Sequence, residues 1–258
     1  MNYWADRNRI AQNNVANKSI KATERQLKKY YKTTLKKTIA DFEATYDKLL
    51  ATMEAGREPT PADLYKLDKY WQMQGQLQAE LQKMGDKSLE LFTKRFTDTY
   101  KGVYESLSLP SEQGFSTIDT SLAEQMIKDV WCADGESWSE KLWKNTERLA
   151  ETLNEELIDC VVTGRPTTEL KKRLINRFNV SYYQADTLVR TEIAHIQTQS
   201  AQKRYKDAGL RRVQVWADKD ERQCKECGKL HEKFYPIDAQ MPVPAHPNCR
   251  CIIIPVIE

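Results

Sequence analysis

The sequence predicts a mainly α-helical chain with a small α+β module at its C-terminus, and three observations carry that prediction. Apolar residues recur at steps of three and four through most of the first 207 positions. The nine prolines lie mostly at 59–61 and 236–255, outside those runs. After Gly209 the period drops to two, with Val213, Val215 and Ala217 alternating with polar residues. A helix turns every third or fourth side chain to one neighbour and a strand every second, so the change of period marks a change of structure.

Leu27, Tyr31, Leu35, Ile39, Phe42, Tyr46, Leu49 and Met53 form one apolar stripe. Extended back toward residue 5, it predicts a helix of about 50 residues, about 75 Å long at ~1.5 Å per residue. Such a stripe must pack on another helix or another chain. Gly56 and Glu58-Pro59-Thr60-Pro61 end it, with Thr60 placed to cap the next helix and Pro61 in its first turn. A second helix over 61–84 and a third over 87–107 complete a long helical hairpin or bundle spanning 1–110, the docking part of the chain. Ser108 to Thr120, with Leu109-Pro110-Ser111, reads as a hinge.

The second domain covers 118–258. Helical periodicity resumes through Met126, Ile127, Val130 and Trp131, then through Leu142, Leu149, Leu153, Leu157 and Val161. Gly164-Arg165-Pro166 stops that helix. Thr167 or Thr168 is expected to cap a short one carrying Leu170, Leu174, Ile175 and Phe178, and Ser181 to cap a further one running to Asp207. Gly209 stands where a left-handed C-cap belongs. Strands over 213–217, 234–237 and 251–257 make a small sheet within a module at 210–258, packed on the helix that ends at 207. Trp131, Trp138 and Trp143 straddle a helix junction and read as core.

Charged residues make up 30% of the chain and hydrophobic ones 40%, a balance suited to long solvent-exposed helices. The net charge of +3 argues neither for nor against a polyanionic partner. No apolar run approaches the roughly 20 residues of a membrane helix, and the N-terminus lacks the apolar core of a signal peptide. Synthesis in a reducing cytoplasm is the expectation, and there metal binding is favoured over disulfides. Cys132 and Cys160 stand alone among helical residues and read as buried structural thiols.

Residues 224–251 hold four of the six cysteines and two of the three histidines: Cys224-x-x-Cys227, His231, and His246-Pro247-Asn248-Cys249-Arg250-Cys251. Two short ligand pairs flanking a loop suit tetrahedral zinc, because each pair grips the ion from one tight turn. The expected set is Cys224, Cys227, His246 and Cys249, with Cys251 able to replace Cys249 or His246. The alternative is two disulfides, or packed thiols without metal. A closed four-ligand zinc site would be structural, tying the loop after the first strand to the last strand. The chain has no H-E-x-x-H, and His231-Glu232 is not the H-x-E of a zinc deaminase.

Several stretches together resemble the phage head morphogenesis family, the group of Mu F-like and SPP1-type minor head proteins of tailed bacteriophages. They are Val189-Arg190-Thr191-Glu192-Ile193-Ala194, Tyr205-Lys206-Asp207-Ala208-Gly209, Val215-Trp216-Ala217, Asp220-Glu221-Arg222-Gln223-Cys224-Lys225-Glu226-Cys227 and His246-Pro247-Asn248-Cys249-Arg250-Cys251. The resemblance covers roughly 120–258. Many family members carry an Asp-Gly turn after the first cysteine pair, where this chain has Leu230-His231-Glu232-Lys233. The resemblance implies a minor structural protein of the virion head or portal vertex, made in the bacterial host. Its implied partners are the portal protein and the major capsid or scaffold protein, and its implied role touches head assembly and the packaged double-stranded DNA.

Arg190, Glu192, Asp220, Arg222 and Arg250 occupy matching family positions. They read as an ion-pair network fixing the helix against the metal loop, since no nucleophile and base accompany them. In the first helix, Lys18, Lys21, Arg25, Lys28, Lys32 and Lys36 fall on one face, with Lys29 and Lys37 nearby and Glu24 as the one acid between 18 and 37. Like charges four apart repel by a few tenths of a kcal/mol per pair, about 0.2–0.5, so an anionic neighbour would relieve the face. DNA inside a head is one such neighbour; a solvated surface or an acidic capsid or portal partner are the others. A toxin-like enzyme, known as a fusion in the family, is the remaining alternative. Only seven residues follow Cys251 here, and the expectation is no enzyme.

Overall fold

A computed structural model of the chain describes residues 3–52, 57–58, 60–110, 121, 124–125, 127, 129–132, 134–217, 220–221 and 223–257. Met53, Gly56, Pro59, Met126, Arg222 and the 111–120 part of the expected hinge lie outside the described residues. Among the described residues the elements run α1 (Tyr3–Ala51), α2 (Pro61–Tyr65), α3 (Asp68–Ser106), α4 (Trp138–Val162), α5 (Thr167–Asp207), β1 (Arg212–Trp216), α6 (Lys225–Leu230), β2 (Phe234–Pro236) and β3 (Ile252–Pro255). The mainly helical fold with a small C-terminal sheet is what the periodicity predicts.

The chain forms two compact units, each assembled from separated stretches. One takes in Met1–Glu24, Leu91–Trp138 and Thr187–Glu258; the other takes in Arg25–Glu90 and Ser139–Asp186.

In the second of these, α1 buries Leu27, Tyr31, Phe42, Tyr46 and Leu49 as the stripe predicts. Leu35 and Ile39 are only half-buried, however, and Thr34, Thr38 and Thr45 are buried in the same helix. The burial face is therefore rotated by about one residue at that level. Thr45 satisfies its hydroxyl on the Asp41 carbonyl of its own helix, 2.7 Å away. The turn into α2 follows the sequence: Thr60 Oγ1 accepts from the Asp63 N–H while the Asp63 carboxylate accepts from the Thr60 N–H, a capping box with Pro61 just inside the helix.

Two expected helix boundaries are absent. The helices expected at 61–84 and 87–107 are instead short α2 and a continuous 39-residue α3. Gly85 sits inside α3, where it admits the Trp143 ring of α4: a Cβ there would meet Trp143 Cζ3 at 2.3 Å. Gly85→Ala should therefore destabilise the protein by about 1–3 kcal/mol through overpacking, although alanine gains about 1 kcal/mol in helix propensity. Urea unfolding of the two proteins measures the balance; an unchanged or higher midpoint would show that the ring moves aside freely. Likewise α5 is one 41-residue helix. Ser181 is buried in its middle, sharing a 3.2 Å hydrogen bond with the Tyr31 hydroxyl while its carbonyl accepts from Asn145 Nδ2 at 2.9 Å. It is a packing residue and not a cap.

The expected stops at 164 and 209 are present. Gly164 (φ +60) and Gly209 (φ +79) are left-handed. Arg165 N–H reaches back to the Cys160 carbonyl and Leu210 N–H to the Tyr205 carbonyl, each at 3.0 Å. The helix after the first stop begins at Thr167, with the Pro166 carbonyl accepting from the Glu169 and Leu170 N–H groups, so the cap lies one residue before Thr167.

The other unit contains the sheet. Its strands are antiparallel in the order β2-β1-β3, with Val213 opposite Tyr235 and Val215 opposite Ile253. Val213, Val215 and Ile253 pack with Ala201 and Tyr205 of α5, as expected for a sheet lying on that helix. Ile252 and Ile254 form a further cluster with Ala5 of α1, with Trp216 against it, which accounts for the burial of every β3 residue. Gln12 of α1, fully buried, donates to the Ile253 carbonyl at 2.9 Å and to the Tyr205 hydroxyl at 3.1 Å. Asn8 exchanges two 2.9 Å hydrogen bonds with the backbone of Ser108, so residue 108 of the expected hinge is anchored.

Candidate metal centre

The first ligand pair is set by a short helix. Cys224 is the N-cap of α6, and its sulfur accepts the Cys227 N–H at 3.3 Å, holding both thiols on one turn. The second pair follows a turn in which Asn248 takes φ +60, a conformation Asn tolerates better than most residues. Asn248 N–H donates to Thr191 Oγ1 at 3.1 Å and its amide approaches Thr187 Oγ1 at 3.5 Å, so the turn is seated on α5. The Arg190-Thr191-Glu192 and His246-Pro247-Asn248 stretches, 57 positions apart at that contact, thus meet in space. Nothing in the spacing announced that contact; only their joint presence in one family pattern hinted at it.

His246 Nε2 stands 3.2 Å from Cys224 Sγ and 3.1 Å from Cys227 Sγ, and Cys227 Sγ is 3.7 Å from Cys249 Sγ. A tetrahedral zinc with bonds of ~2.3 Å to sulfur and ~2.0–2.1 Å to nitrogen has S···S edges of about 3.8 Å and S···N edges of about 3.6 Å. The S···S separation is close to its edge, while both S···N separations are shorter than theirs. The ligand atoms fall into two overlapping trios, Cys224–Cys227–His246 and Cys227–Cys249–Cys251, each within 4.8 Å. Cys227 belongs to both. The five predicted candidates therefore form two trios joined at Cys227, and such a cluster could hold a metal ion.

The surroundings suit ligation. His246 Nδ1 is 2.8 Å from the Pro247 carbonyl, which calls for the proton on Nδ1 and leaves Nε2 as the lone-pair donor facing the sulfurs. The four thiols are split in acidity. The Cys227 N–H draws Cys224 below its ordinary value, and hydrogen bonding from Cys251 does the same for Cys249. Burial pushes Cys227 up to about 12, and its bond to Cys249 raises Cys251. A divalent cation beside Cys227 would reverse that cost by stabilising its thiolate.

The remaining predicted residues have other duties. His231 is buried and accepts the Ala217 N–H on Nδ1 at 3.2 Å, with its ring 4.6 Å from Trp216; it supports β1. In its turn Glu232 adopts φ +62, a left-handed conformation uncommon for a side chain of this kind. Arg250 makes a two-pronged bridge to Asp220 at 2.8 and 2.6 Å, linking the loop after β1 to the approach of β3. Arg190 pairs with Glu24 of α1, and Glu192 accepts the Trp131 indole N–H at 2.9 Å. Ion pairs of the expected kind are thus present at Arg190 and at Asp220 with Arg250, while Arg222 lies outside the described residues. Trp138 packs in the core against Phe92 and Phe96, as read from sequence.

Lys18, Lys21, Arg25, Lys28, Lys32 and Lys36 are all exposed on α1. Among the described residues none of the six has an ion pair or hydrogen bond, whereas Lys37 is held by Glu80 at 2.7 Å.

Residues 151–254 match the family model described as phage Mu protein F like protein. The match takes in α5, the sheet and every Cys and His of the cluster, and it supports assignment to a phage head morphogenesis family. No curated protein and no solved structure matches the chain. Among the described residues no helix is long and apolar enough to cross a membrane.

Proposed function

With residues 151–254 matching the phage Mu protein F like family, we propose that this chain is a minor structural protein of a tailed-phage head. It acts in head morphogenesis through the portal, capsid or scaffold proteins and has no enzymatic activity of its own. The observation that carries the reading is the use made of the matched residues. Thr191 seats Asn248, Arg250 clamps Asp220, and Cys227 joins Cys224 and His246 on one side to Cys249 and Cys251 on the other. These are bracing contacts, and the chemistry they offer is ligation of one structural zinc. Cys249 is preferred as fourth ligand for its 3.7 Å edge to Cys227, with Cys251 beside it as the substitute.

Docking falls to the helices. Tyr65 and Trp71, 43% and 59% exposed, stack at 6.3 Å on the turn between α2 and α3. Exposed, preorganised aromatics are the residues that dominate protein interfaces. Deleting residues 1–107 would strip part of both compact units, so point substitution is the sounder test. Trp71→Ala in the full chain should cut co-purification with the portal protein of the same phage by tenfold or more, the effect of losing an interface anchor worth about 2 kcal/mol. Undiminished retention would remove this turn from the docking surface, and failure of the wild-type chain to bind portal, capsid or scaffold would contradict the head reading.

A second reading is sequence-independent DNA binding by α1. It is favoured by the six exposed cations that lack acidic partners.

A further inference from the structure

The unit that holds the Cys/His cluster also holds a cavity of about 650 Å³, well inside the ~300–1,000 Å³ of ligand-binding pockets. Trp131 and His195 line it, their rings stacked with centroids 4.2 Å apart and planes within 4°. The bond from Trp131 to Glu192 fixes the stack. His195 is only 9% exposed, and neither ring nitrogen has a hydrogen-bond partner among the described residues. Burial holds its pKa down at about 4, so the imidazole is neutral near pH 7 and offers one donor and one acceptor. A ligand in the cavity can use both.

A second wall is the segment 240–245, which has no regular secondary structure. From 240 to 244 its backbone makes no hydrogen bond among the described residues, and Pro242 and Pro244 lack N–H groups altogether. Its carbonyls are thus acceptors without a donor among the described residues. Asp129 and Glu226, both exposed, add negative charge to the lining, and among the described residues no Lys or Arg lines the cavity. The complementary ligand supplies a row of N–H donors, a positive charge and some apolar surface for Met241 and Val243. A peptide backbone supplies such a row at the spacing of the carbonyls; a small amine would leave most of them unfilled.

We propose that this cavity binds an extended peptide segment bearing a Lys or Arg side chain, its backbone N–H groups on the 240–244 carbonyls, its cation near Asp129 and Glu226, and a polar group on His195. The ligand class follows from the cavity chemistry and does not depend on the head-protein reading.

The test is calorimetry on the full-length, zinc-loaded chain with the capped peptide acetyl-Val-Arg-Val-Lys-amide. Its comparators are acetyl-Val-Glu-Val-Glu-amide and spermidine, and NMR follows the Trp131 indole and His195 ring signals. The basic peptide should bind and move both signals. Asp129→Lys, at an exposed position, should weaken it at least tenfold, and His195→Phe should weaken it while keeping a ring on Trp131. Unchanged circular dichroism and zinc content show that each variant is folded. Equal binding of the glutamate peptide or of spermidine overturns the proposal, as does binding that leaves the Trp131 and His195 signals in place or an Asp129→Lys variant that binds as tightly as the wild type.

Discussion

Replacing Cys227 with serine is expected to abolish zinc binding by the cluster and unfold the 210–257 module, while the unit made of Arg25–Glu90 and Ser139–Asp186 stays folded. Cys227 is the thiol common to both ligand trios and is 5% exposed, so its loss breaks both trios and leaves a buried gap. Its sheet has strands of five, three and four residues and relies on packing against α5 and α1 for its burial. Structural zinc contributes apparent binding energies of about 10–16 kcal/mol in isolated zinc modules. Even a fraction of that is large beside the net stability of a domain. Hydrogen exchange read by mass spectrometry should show the amides of β1 and β3 losing at least a hundredfold of protection in Cys227→Ser, and the same loss in wild-type protein under a strong chelator. Protection that survives both treatments would mean that apolar packing alone holds the module.

The second large effect is electrostatic. If Lys18, Lys21, Arg25, Lys28, Lys32 and Lys36 neutralise six phosphates, the affinity for duplex DNA falls about 10³-fold between 50 and 200 mM salt, because each neutralised phosphate releases about 0.9 of a counterion. Lys28, Lys32 and Lys36 replaced together by glutamine should lower the logarithmic salt slope by about 3. Fluorescence anisotropy with labelled duplexes of unrelated sequence measures both. Equal affinity for different sequences and a steep slope support DNA as the occupant of this face. A flat slope removes DNA and leaves an acidic protein partner or solvent.

Much of this was legible in the sequence, and the exceptions share a cause. The helices announce themselves because their apolar residues repeat at one period, and the stops at Gly164 and Gly209 follow from the conformational freedom of glycine. Gly85 and Ser181 look like boundaries for the same local reasons. They are interior because of partners far away in the chain, the Trp143 ring and the Tyr31 hydroxyl. Burial of Asn8 and Gln12 was invisible, since polar residues on a helix read as a solvated face until their backbone partners at Ser108 and Ile253 are known. At the candidate metal centre, ligand type and spacing were sufficient to name the five residues that form the two trios. The bracing of that centre by Thr187 and Thr191 was not, because hydroxyl contacts across 57 or more positions leave no local pattern.

Elemental analysis of the purified native chain, paired with thiol titration without denaturant, tests most directly whether the cluster is a metal-held brace. One zinc per chain is expected, with Cys224, Cys227 and Cys249 unreactive until a chelator is added and zinc absent from Cys227→Ser. A chain with no metal whose cluster thiols all react at once, or one whose cluster cysteines are joined as disulfides, would contradict it.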